Sequence, residues 1–354
     1  MYKRELSMNV FVFFKELFIQ SKIKSTFVII LSMISGVLNS ALAVALFPLL
    51  RELNFDKNQS NKVLSLYDNS LNYLGITNSI YLILLFMILI LLLNAVILIF
   101  SDYFISSFTT NLNKNIKIRY FKYVLRSKWS LFLEKKPGEI VNSIFLETDK
   151  SISAYKDLLE LFTFLIQLIF YVILSIYISL IVSFYSVLIG LIIITIFYSW
   201  NSRARLSGEK FNNSNKYIAS KVLDSLKNIK TIKAMDGVSK LIEIFNNDFK
   251  ELRNNNYKMD IVLSIPKRMS DPIMAFFLSL GIVIIYSYKI IPMASILPLM
   301  FLYFRSINMF ANAQGKYQSI KKMEPFFISY EKNLNSVLNN EELNKGNRDF
   351  KFED

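Results

Sequence analysis

The stretch that decides the fold is FTTNLNKNIKIRYFKYVLRSKWSLFLEKKPGEIVNSIFLETDKSISAYKD, residues 108–157. It is polar and basic, and it lies between two long apolar stretches. A second polar, basic stretch, residues 201–270, separates another pair of apolar stretches. The connections between the third and fourth apolar stretches, and between the fifth and sixth, almost vanish. This spacing predicts a membrane protein with nearly all its extramembranous mass on one side.

Six apolar stretches have the length of a bilayer crossing, since a core of ~30 Å needs about 20 helical residues. They are Thr26–Leu50, Ile80–Phe100 (continuing to about Ser107), Leu158–Ile181, Val182–Trp200, Pro272–Tyr288 and Ala294–Phe310. The third and fourth form one block that is too long for a single crossing, so we expect a hinge near Ile181–Ser186. Asp271–Pro272 has the pattern of a helix start. The fold class predicted is an all-α membrane protein with six long transmembrane helices that extend into the cytoplasm.

The positive charges of the loops set the orientation. The first 25 residues carry five Lys or Arg, residues 108–157 carry ten and residues 201–270 carry fourteen. Residues 51–79 carry only three, balanced by three acids. We therefore predict that both termini and both long polar stretches are cytoplasmic, in a protein of the bacterial inner (plasma) membrane. The segment Asn9–Ile23 has the pattern of an amphipathic helix in the membrane interface.

The composition excludes several classes of site. The chain has 354 residues, 53% of them apolar, and contains no cysteine and no histidine. A thiol-ligated metal site and a histidine general base are therefore excluded. The net charge of +14 is explained by orientation in a membrane, so we expect no nucleic-acid partner.

Both long polar stretches have helical patterns. Residues 101–136 and 209–236 contain no Gly or Pro, the main helix breakers. Apolar residues recur there at spacings of three and four. We expect the flanking spans to continue as helices, with turns after Trp129, marked by Pro137–Gly138, and near Lys227–Gly237.

The segments 119–153 and 215–249 carry a resemblance to a known family. The first contains Arg119, Phe132, Gly138–Glu139–Ile140 and Asp149, and the second contains Ile232–Lys233–Ala234 and Gly237. In this order and spacing they resemble the transmembrane domain of an ATP-binding-cassette (ABC) exporter, over about residues 10–330.

The resemblance implies that two short transverse coupling helices seat in clefts of nucleotide-binding domains. It places the first near Tyr120–Leu125 and the second near Leu223–Ile229. The contact residues expected from it are Tyr120, Phe121, Val124 and Leu125 in the first, and Leu223, Leu226 and Ile229 in the second. The alternative is that these residues only pack the helices together. The resemblance also implies a dimer with a second half-transporter, identical or different.

The sequence contains no phosphate loop of the form G-x-x-x-x-G-K-[ST]. Leu206–Ser207–Gly208–Glu209 resembles the family's signature motif only by chance, because it lies on the extension of the fourth span. We therefore predict that this chain is not itself an enzyme and has no cofactor, and that ATP and Mg²⁺ bind a motor domain outside it.

Residues 331–348 have linker composition, and residues 349–354 are strand-like, as in the first strand of a nucleotide-binding domain. The domains expected are 1–25 (amino-terminal region with the interfacial helix), 26–330 (transmembrane domain), the linker and the strand. We expect the sequence to be truncated at the first strand of its motor domain; the alternative is that the motor is a separate polypeptide.

Polar residues within spans are costly in a bilayer and face a partner, a cavity or the bundle interior. The candidates for a substrate pathway are Arg305, Asn308, Asn312, Asp102, Asn39 and Asn94. Arg305 has three readings: it points into a cavity that accepts an anionic headgroup, pairs with an acid such as Asp102, or extends toward the cytoplasm. Asn308 and Asn312 share its helix face.

The stretch Leu297–Ile320 and the loop Phe55–Ile76 resemble flippases of lipid-linked oligosaccharides and lipid A more than peptide exporters, which makes membrane lipid an expected partner. A drug or peptide exporter of the same fold is an alternative. An ion-coupled secondary transporter is another, and it predicts glycine-broken helices at the midplane, whereas the whole chain has nine Gly. A membrane scaffold or channel would leave the long cytoplasmic helices without a purpose.

Overall fold

The computed structural model describes residues 22–52, 80–288 and 293–342, and these are almost entirely α-helical. Most of the predicted interfacial helix, most of the 51–79 loop, residues 343–348 of the predicted linker and the predicted strand at 349–354 lie outside the described residues. The first part of the predicted linker, residues 331–339, is helical.

The described helices are long, as the absence of Gly and Pro from the polar stretches predicts. They are α1 (Lys22–Glu52), α2 (Ile80–Leu125), α3 (Trp129–Glu134), α4 (Pro137–Asn142), a π-helical turn (Ser143–Glu147), α5 (Thr148–Ile178), α6 (Leu180–Lys227), α7 (Ile229–Ala234), α8 (Val238–Tyr288) and α9 (Met293–Asn339). The helix α2 has 46 residues, about 69 Å at 1.5 Å per residue. It is therefore much longer than a bilayer crossing requires.

Three helical segments in the described part are long and apolar enough to cross a membrane: Lys22–Leu46, Ile80–Leu125 and Pro137–Ile178. They contain most of the first predicted span, all of the second and nearly all of the third. The fourth, fifth and sixth predicted spans lie within α6, α8 and α9 respectively. These three are helical as expected, while their crossing of the membrane stays a prediction.

The hinge between the third and fourth spans lies at Ser179, two residues before the predicted position. The hydroxyl oxygens of Ser175 and Ser183 are 2.7 Å apart there and share a hydrogen bond. In a straight helix, residues eight apart are separated by about 12 Å along the axis. The short distance therefore shows that the chain doubles back at this point.

The expected helix start at Asp271–Pro272 is wrong. The helix α8 runs without interruption through Pro266 and Pro272 to Tyr288. A proline inside a helix removes one backbone hydrogen bond and crowds the preceding turn. The long run of helical residues on both sides of each proline keeps α8 continuous despite this local loss.

The chain divides into two compact units. The membrane unit comprises residues up to Phe108 together with Tyr155–Ala204 and Asp260–Lys321. The polar unit comprises Thr109–Ala154, Arg205–Met259 and the residues from Lys322 onward. Each unit contains pieces of several helices, because the long helices pass from one unit into the other.

A buried cluster of Ala43, Tyr171 and Leu302 forms one core of the membrane unit. In the polar unit, the fully buried side chains include Tyr120, Leu131 and Phe326. The alternation of buried and exposed residues in each helix explains the three- and four-residue spacing in the sequence.

Two glycines allow helices of the polar unit to touch backbone to backbone. A Cβ atom built on Gly138 would lie 2.6 Å from Cα of Ser220, on α6. One built on Gly208 would lie 2.0 Å from the carbonyl oxygen of Lys322, on α9. Both positions thus require glycine for contact with a neighbouring helix, which also gives Gly208 a structural role independent of any signature motif.

We expect Gly208→Ala to lower the free energy of unfolding by about 1–3 kcal/mol, since the added methyl group would force α6 and α9 apart. The measurement is the thermal unfolding midpoint of the purified chain in detergent. Gly315→Ala is the matched control, because nothing lies within 4 Å of its Cβ position and alanine favours a helix. Equal midpoints for the two variants would contradict the close approach.

Candidate functional site

The membrane unit contains a network of buried polar side chains that joins α1, α2 and α5. The hydroxyl of Ser35 donates to Asn94 Oδ1 at 2.7 Å and accepts from Gln167 Nε2 at 2.8 Å. The amides of Asn39 and Asn94 donate to each other at 3.2 and 3.3 Å. All four residues are buried.

Asn39 and Asn94, two of the predicted pathway residues, therefore use their hydrogen-bonding groups on each other. Burying an amide without a partner costs several kcal/mol in an apolar medium, and mutual pairing avoids that cost. The arrangement fixes how α1 and α2 pack. A role of either residue in a substrate pathway stays a prediction.

Arg305 lies on the face of α9 that packs against the Ala43–Tyr171–Leu302 cluster. Leu302 and Met309, three residues before it and four after it, both belong to or pack on this cluster. The guanidinium stacks over the ring of Phe301, with 5.3 Å between Cζ and the ring centroid. Phe301 also packs on the cluster. The charge of Arg305 is thus held beside the apolar core of the membrane unit.

The hydroxyl of Tyr171 is the second polar group of this region. Its side chain is fully buried, and its oxygen has no hydrogen-bond partner among the described residues. Arg305 likewise forms no ion pair in the described part of the chain, so the expected pairing with Asp102 is not found there. A hydroxyl and a guanidinium are both hydrogen-bond donors. The region therefore offers two donors to an acceptor.

The other pathway candidates lie at more open positions of the membrane unit. Asp102 and Asn312 are exposed, and Asn308 is half-buried. The nearest charged groups to Asp102 include Glu160 and Lys316. Lys316 Nζ lies 2.9 Å from Asp157 Oδ1 and also pairs with Glu160. Asp102 thus faces a mixed cluster of charges instead of Arg305.

The polar unit is held together around one buried carboxylate, Glu147, at the end of the π-helical turn. Its side chain has no solvent exposure. Five partners surround it: Lys216 Nζ at 2.7 Å, Ser143 Oγ at 2.6 Å, Ser329 Oγ at 2.7 Å, Asn333 Nδ2 at 3.2 Å and Asn142 Nδ2 at 3.4 Å. We call this set the glutamate hub. It joins the π-helical turn and α4 to α6 and α9, and it gives the buried charge both a counter-ion and hydrogen-bond donors.

Asp149, two residues further along, ties α5 to α2. Its Oδ1 atom lies 2.6 Å from Lys117 Nζ and accepts a hydrogen bond from Asn113 Nδ2 at 2.6 Å. The position that the resemblance singles out therefore has a structural function in this chain.

The first turn of the polar unit contains the short helix α3. Leu131 is fully buried and anchors it, whereas Trp129 and Leu133 are 72% and 74% exposed. The resemblance places a short helix at Tyr120–Leu125, but those residues form the last turns of α2. Tyr120 and Val124 are buried inside the unit, while Phe121 and Leu125 are exposed.

The ring of Tyr120 lies 5.7 Å from that of Tyr330, on α9. Burial raises the pKa of Tyr330 to about 12, while the nearby guanidinium of Arg119 acts in the opposite direction. Both rings are therefore neutral packing groups at physiological pH, and the periodicity that includes Tyr120 and Val124 marks the inward face of α2.

The second turn, predicted near Lys227–Gly237, is confirmed, and it contains the short helix α7. Its residues are all at least partly exposed, and Met235, just after it, is 77% exposed. Asp236 has a positive φ of 50°, a left-handed conformation that closes a helix end. Leu223 is half-buried on α6, Leu226 is exposed there, and Ile229 is the first residue of α7. The short helix thus begins where the predicted one ends.

The sequence of residues 25–288 matches the family model of the ABC transporter transmembrane region. This match covers well over half of the chain, and the chain belongs to that family. It is an integral membrane protein, the membrane part of an ABC transporter, which works with a nucleotide-binding domain. A comparison with curated proteins gives no match.

Two residues of the candidate sites carry little signal in the sequence. Glu147 lies in a polar stretch that contains many charges, and only the structure shows that it is buried. Tyr171 is one aromatic residue among many in an apolar stretch, and nothing in the pattern distinguishes its hydroxyl. Gln167 stands out as a polar residue within a span, although its partner Ser35 does not.

We expect Asn94→Ala to lower the free energy of unfolding by about 1–3 kcal/mol, because Ser35 and Asn39 would keep buried polar groups without their partner. Thermal unfolding of the chain in detergent measures this. Asn308→Ala serves as control, since Asn308 is only half-buried and outside the network. If Asn94→Ala unfolds at the temperature of the unsubstituted chain, the network does not stabilise the membrane unit.

Proposed function

We propose that the chain forms the substrate pathway of an ATP-driven exporter, and that α3 and α7 relay movements of the nucleotide-binding domain to the membrane unit. The observation that carries the proposal is the exposure of large apolar side chains on the short helices at both turns. Exposed aromatic and aliphatic residues on a polar, helical unit are typical of a protein–protein contact.

The helix α3 has the rigidity that force transmission requires. The backbone of the turn before it is hydrogen-bonded to the end of α9: Lys128 N donates to Asn340 O at 2.8 Å, and Glu342 N donates to Arg126 O at 2.9 Å. An isolated bridge joins Ser127 to Glu341. A domain that pushes on α3 would therefore move α2 and α9 together.

On the exposed side of α3, Trp129 and Phe132 pack with ring centroids 6.0 Å apart. Tryptophan is the residue most enriched at the energetic centres of protein interfaces. Leu133 adds a second exposed apolar group. We propose these residues, with Phe121 and Leu125, as the first contact surface for the nucleotide-binding domain.

The helix α7 and the residues beside it supply the second contact surface, with Leu226 at the end of α6, Ile229 on α7 and Met235 just after it as the apolar residues. Because α7 connects α6 to α8, a push on it would displace both of these long helices. ATP binding would then favour one arrangement of the helices and hydrolysis would return the other, since a ligand shifts a conformational equilibrium by its differential affinity. Dimerisation with a second half-transporter is part of this proposal.

We further propose that the substrate is an amphiphile with an anionic group, such as a phosphate-bearing lipid or lipid-linked glycan. Arg305 and the Tyr171 hydroxyl support it, because they are two donors beside an apolar core and neither has an acceptor in the described part of the chain. The phosphate of such a lipid accepts hydrogen bonds from both groups. The alkyl chains of the lipid suit the surrounding apolar side chains.

The contact surface on α3 predicts that Trp129→Ala with Leu133→Ala weakens retention of the nucleotide-binding domain at least tenfold, since each such truncation costs about 2 kcal/mol at the centre of an interface. Co-purification of the domain with the reconstituted transporter and its basal ATP hydrolysis measure the loss. Both side chains are exposed, so the unfolding midpoint of the chain should not change.

Phe249→Ala with Tyr257→Ala is the control, because both side chains are exposed on α8, away from the turns. Loss of the domain in the control pair alone, or full retention in the α3 pair, would contradict the proposed contact.

The anionic-substrate proposal predicts that Arg305→Ala lowers the affinity for phosphatidic acid by about tenfold, the effect of losing one charge-assisted hydrogen bond. Tyr171→Phe should lower it several-fold. Affinity for diacylglycerol, which lacks the phosphate, should not change. Native mass spectrometry of the chain with each lipid measures bound fractions.

Arg203→Ala provides the matched control, since Arg203 also stacks on an aromatic ring, 5.0 Å from the centroid of Trp200, but is exposed. If Arg305→Ala binds both lipids as the unsubstituted chain does, or if Arg203→Ala has the same effect as Arg305→Ala, the anion site is not at Arg305.

A further inference from the structure

The glutamate hub is asymmetric in the helices that supply its partners. Of the five groups around the Glu147 carboxylate, four come from the π-helical turn, α4 and α9, and all four are neutral donors. The fifth is Lys216, the only hub residue on α6 and the only charged one. Separation of α6 from the rest of the hub would therefore remove the counter-ion and leave the neutral donors in place.

The two ends of the Lys216–Glu147 ion pair have very different access to water. The Glu147 side chain is fully buried, whereas 23% of the Lys216 side chain is exposed. Lys216 also lines an open cleft of about 360 Å³ in the polar unit, together with Glu139, Ser220 and Asp224. Neither Glu139 nor Asp224 forms an ion pair within the described ranges of the chain. A released ammonium group would thus enter water near these two carboxylates and near Lys136 and Lys221, which also line the cleft.

The other contacts of α6 with α4 and α9 are of two kinds. Two are close backbone approaches, of Gly138 to Ser220 and of Gly208 to Lys322, and contacts of this kind contain no long interlocking side chains. The others involve side chains: Asn215 Nδ2 donates to Asn142 Oδ1 at 2.8 Å, and the ring of Phe211 lies 6.2 Å from that of Phe326. The Lys216–Glu147 ion pair is the charged contact among these.

We propose that the Lys216–Glu147 ion pair is a releasable latch that holds α6 against α4, the π-helical turn and α9. Closing the latch places Lys216 on Glu147. Opening it moves Lys216 into the cleft, while Ser143, Ser329, Asn333 and Asn142 continue to donate hydrogen bonds to the buried carboxylate. If the buried Glu147 carboxylate had no other hydrogen-bond donors, the free-energy cost of releasing Lys216 from it would be prohibitive. The four neutral donors lower that free-energy cost.

This inference rests on the proposed function in one respect: the latch has a role in a transport cycle only if α6 moves during that cycle. The position of α6 explains why a latch would matter. α6 leads into α7, the proposed second contact surface, so the latch lies on the path from that surface to the rest of the polar unit. The latch would set how readily a movement of α7 separates α6 from α4, the π-helical turn and α9.

The latch can be tested by distance measurements, because the sequence contains no cysteine and spin labels attach only where cysteine is introduced. Glu209 on α6 and Ile328 on α9 are both exposed positions of the polar unit. With labels at these two positions, pulsed electron–electron double resonance of the chain in lipid nanodiscs measures the distance between α6 and α9. The distance distribution gives the fractions of molecules in which α6 lies close to α9 or is separated from it. Lys216→Met should raise the separated population at least tenfold.

Three further variants make the outcome specific. Lys216→Arg keeps the ion pair and should keep α6 close. Glu147→Gln with Lys216→Met removes both charges, and it should show the separated population without the unfolding that a lone buried charge could cause. Lys221→Met is the matched control: it breaks another ion pair of α6, with Asp248 Oδ2 at 2.5 Å, and should leave the distance unchanged.

An unchanged distance distribution in both the single and the double Lys216 variants would overturn the latch. So would an equal response of Lys221→Met. The same labels in the transporter with its nucleotide-binding domain separate the two proposals. One outcome supports the latch and contradicts the proposed relay through α7. In this outcome Lys216→Met separates α6 from α9, but ATP does not change the distance between the labels at positions 209 and 328 in the transporter that keeps Lys216.

Discussion

The structure depends on the requirement that every backbone amide and carbonyl inside a bilayer be hydrogen-bonded within the protein. A continuous α-helix meets this requirement within one segment, and the apolar stretches of this chain are helical in their described parts except at the Ser179 hinge. Once a helix is established in the membrane, extending it into water adds one hydrogen bond for each residue fixed. The sequence allows this extension because its polar stretches lack Gly and Pro over long distances. The same long helices therefore contribute residues to both the membrane unit and the polar unit.

Both units join their helices through polar groups, and the membrane unit too contains ion pairs, between Lys316 on α9 and Asp157 and Glu160 on α5. In the membrane unit, α1, α2 and α5 are joined by neutral amides and hydroxyls, with Asn39, Asn94 and Gln167 paired at no cost in charge desolvation. In the polar unit, the glutamate hub and the Lys117–Asp149 pair use full charges. Ion pairs are less costly near water than in a bilayer. Both kinds of contact fix helix register, because a shift by one residue would leave a buried donor or acceptor unpaired.

The sequence predicts the helices well and the short turns less well. The apolar lengths and the three- and four-residue spacing predict that residues 108–157 and 201–270 are mainly helical, because these signals are local. The position of α3 depends instead on whether α2 continues past Tyr120. The buried packing of Tyr120 against Tyr330, 210 residues further along the chain, decides that it does. No local pattern reports a contact of that kind, and the apolar spacing at Tyr120 and Val124 fits an inward helix face and a docking face equally. Arg305 could be singled out because a cation in an apolar stretch is rare, whereas Tyr171 is one of many aromatic residues in the spans and is distinguished only by its buried hydroxyl in the fold.

The glutamate hub also has a consequence for biosynthesis. Glu147 meets Ser329 and Asn333, which follow it by 182 and 186 residues. When residue 147 is synthesised, three of its five eventual partners, Lys216, Ser329 and Asn333, have not yet been made. The native surroundings of Glu147 thus cannot be completed until α9 emerges, and the polar unit cannot reach its native packing one helix pair at a time. Maturation of this region is a late, concerted event, and a chain interrupted before Ser329 would expose an unfinished interior to proteolysis.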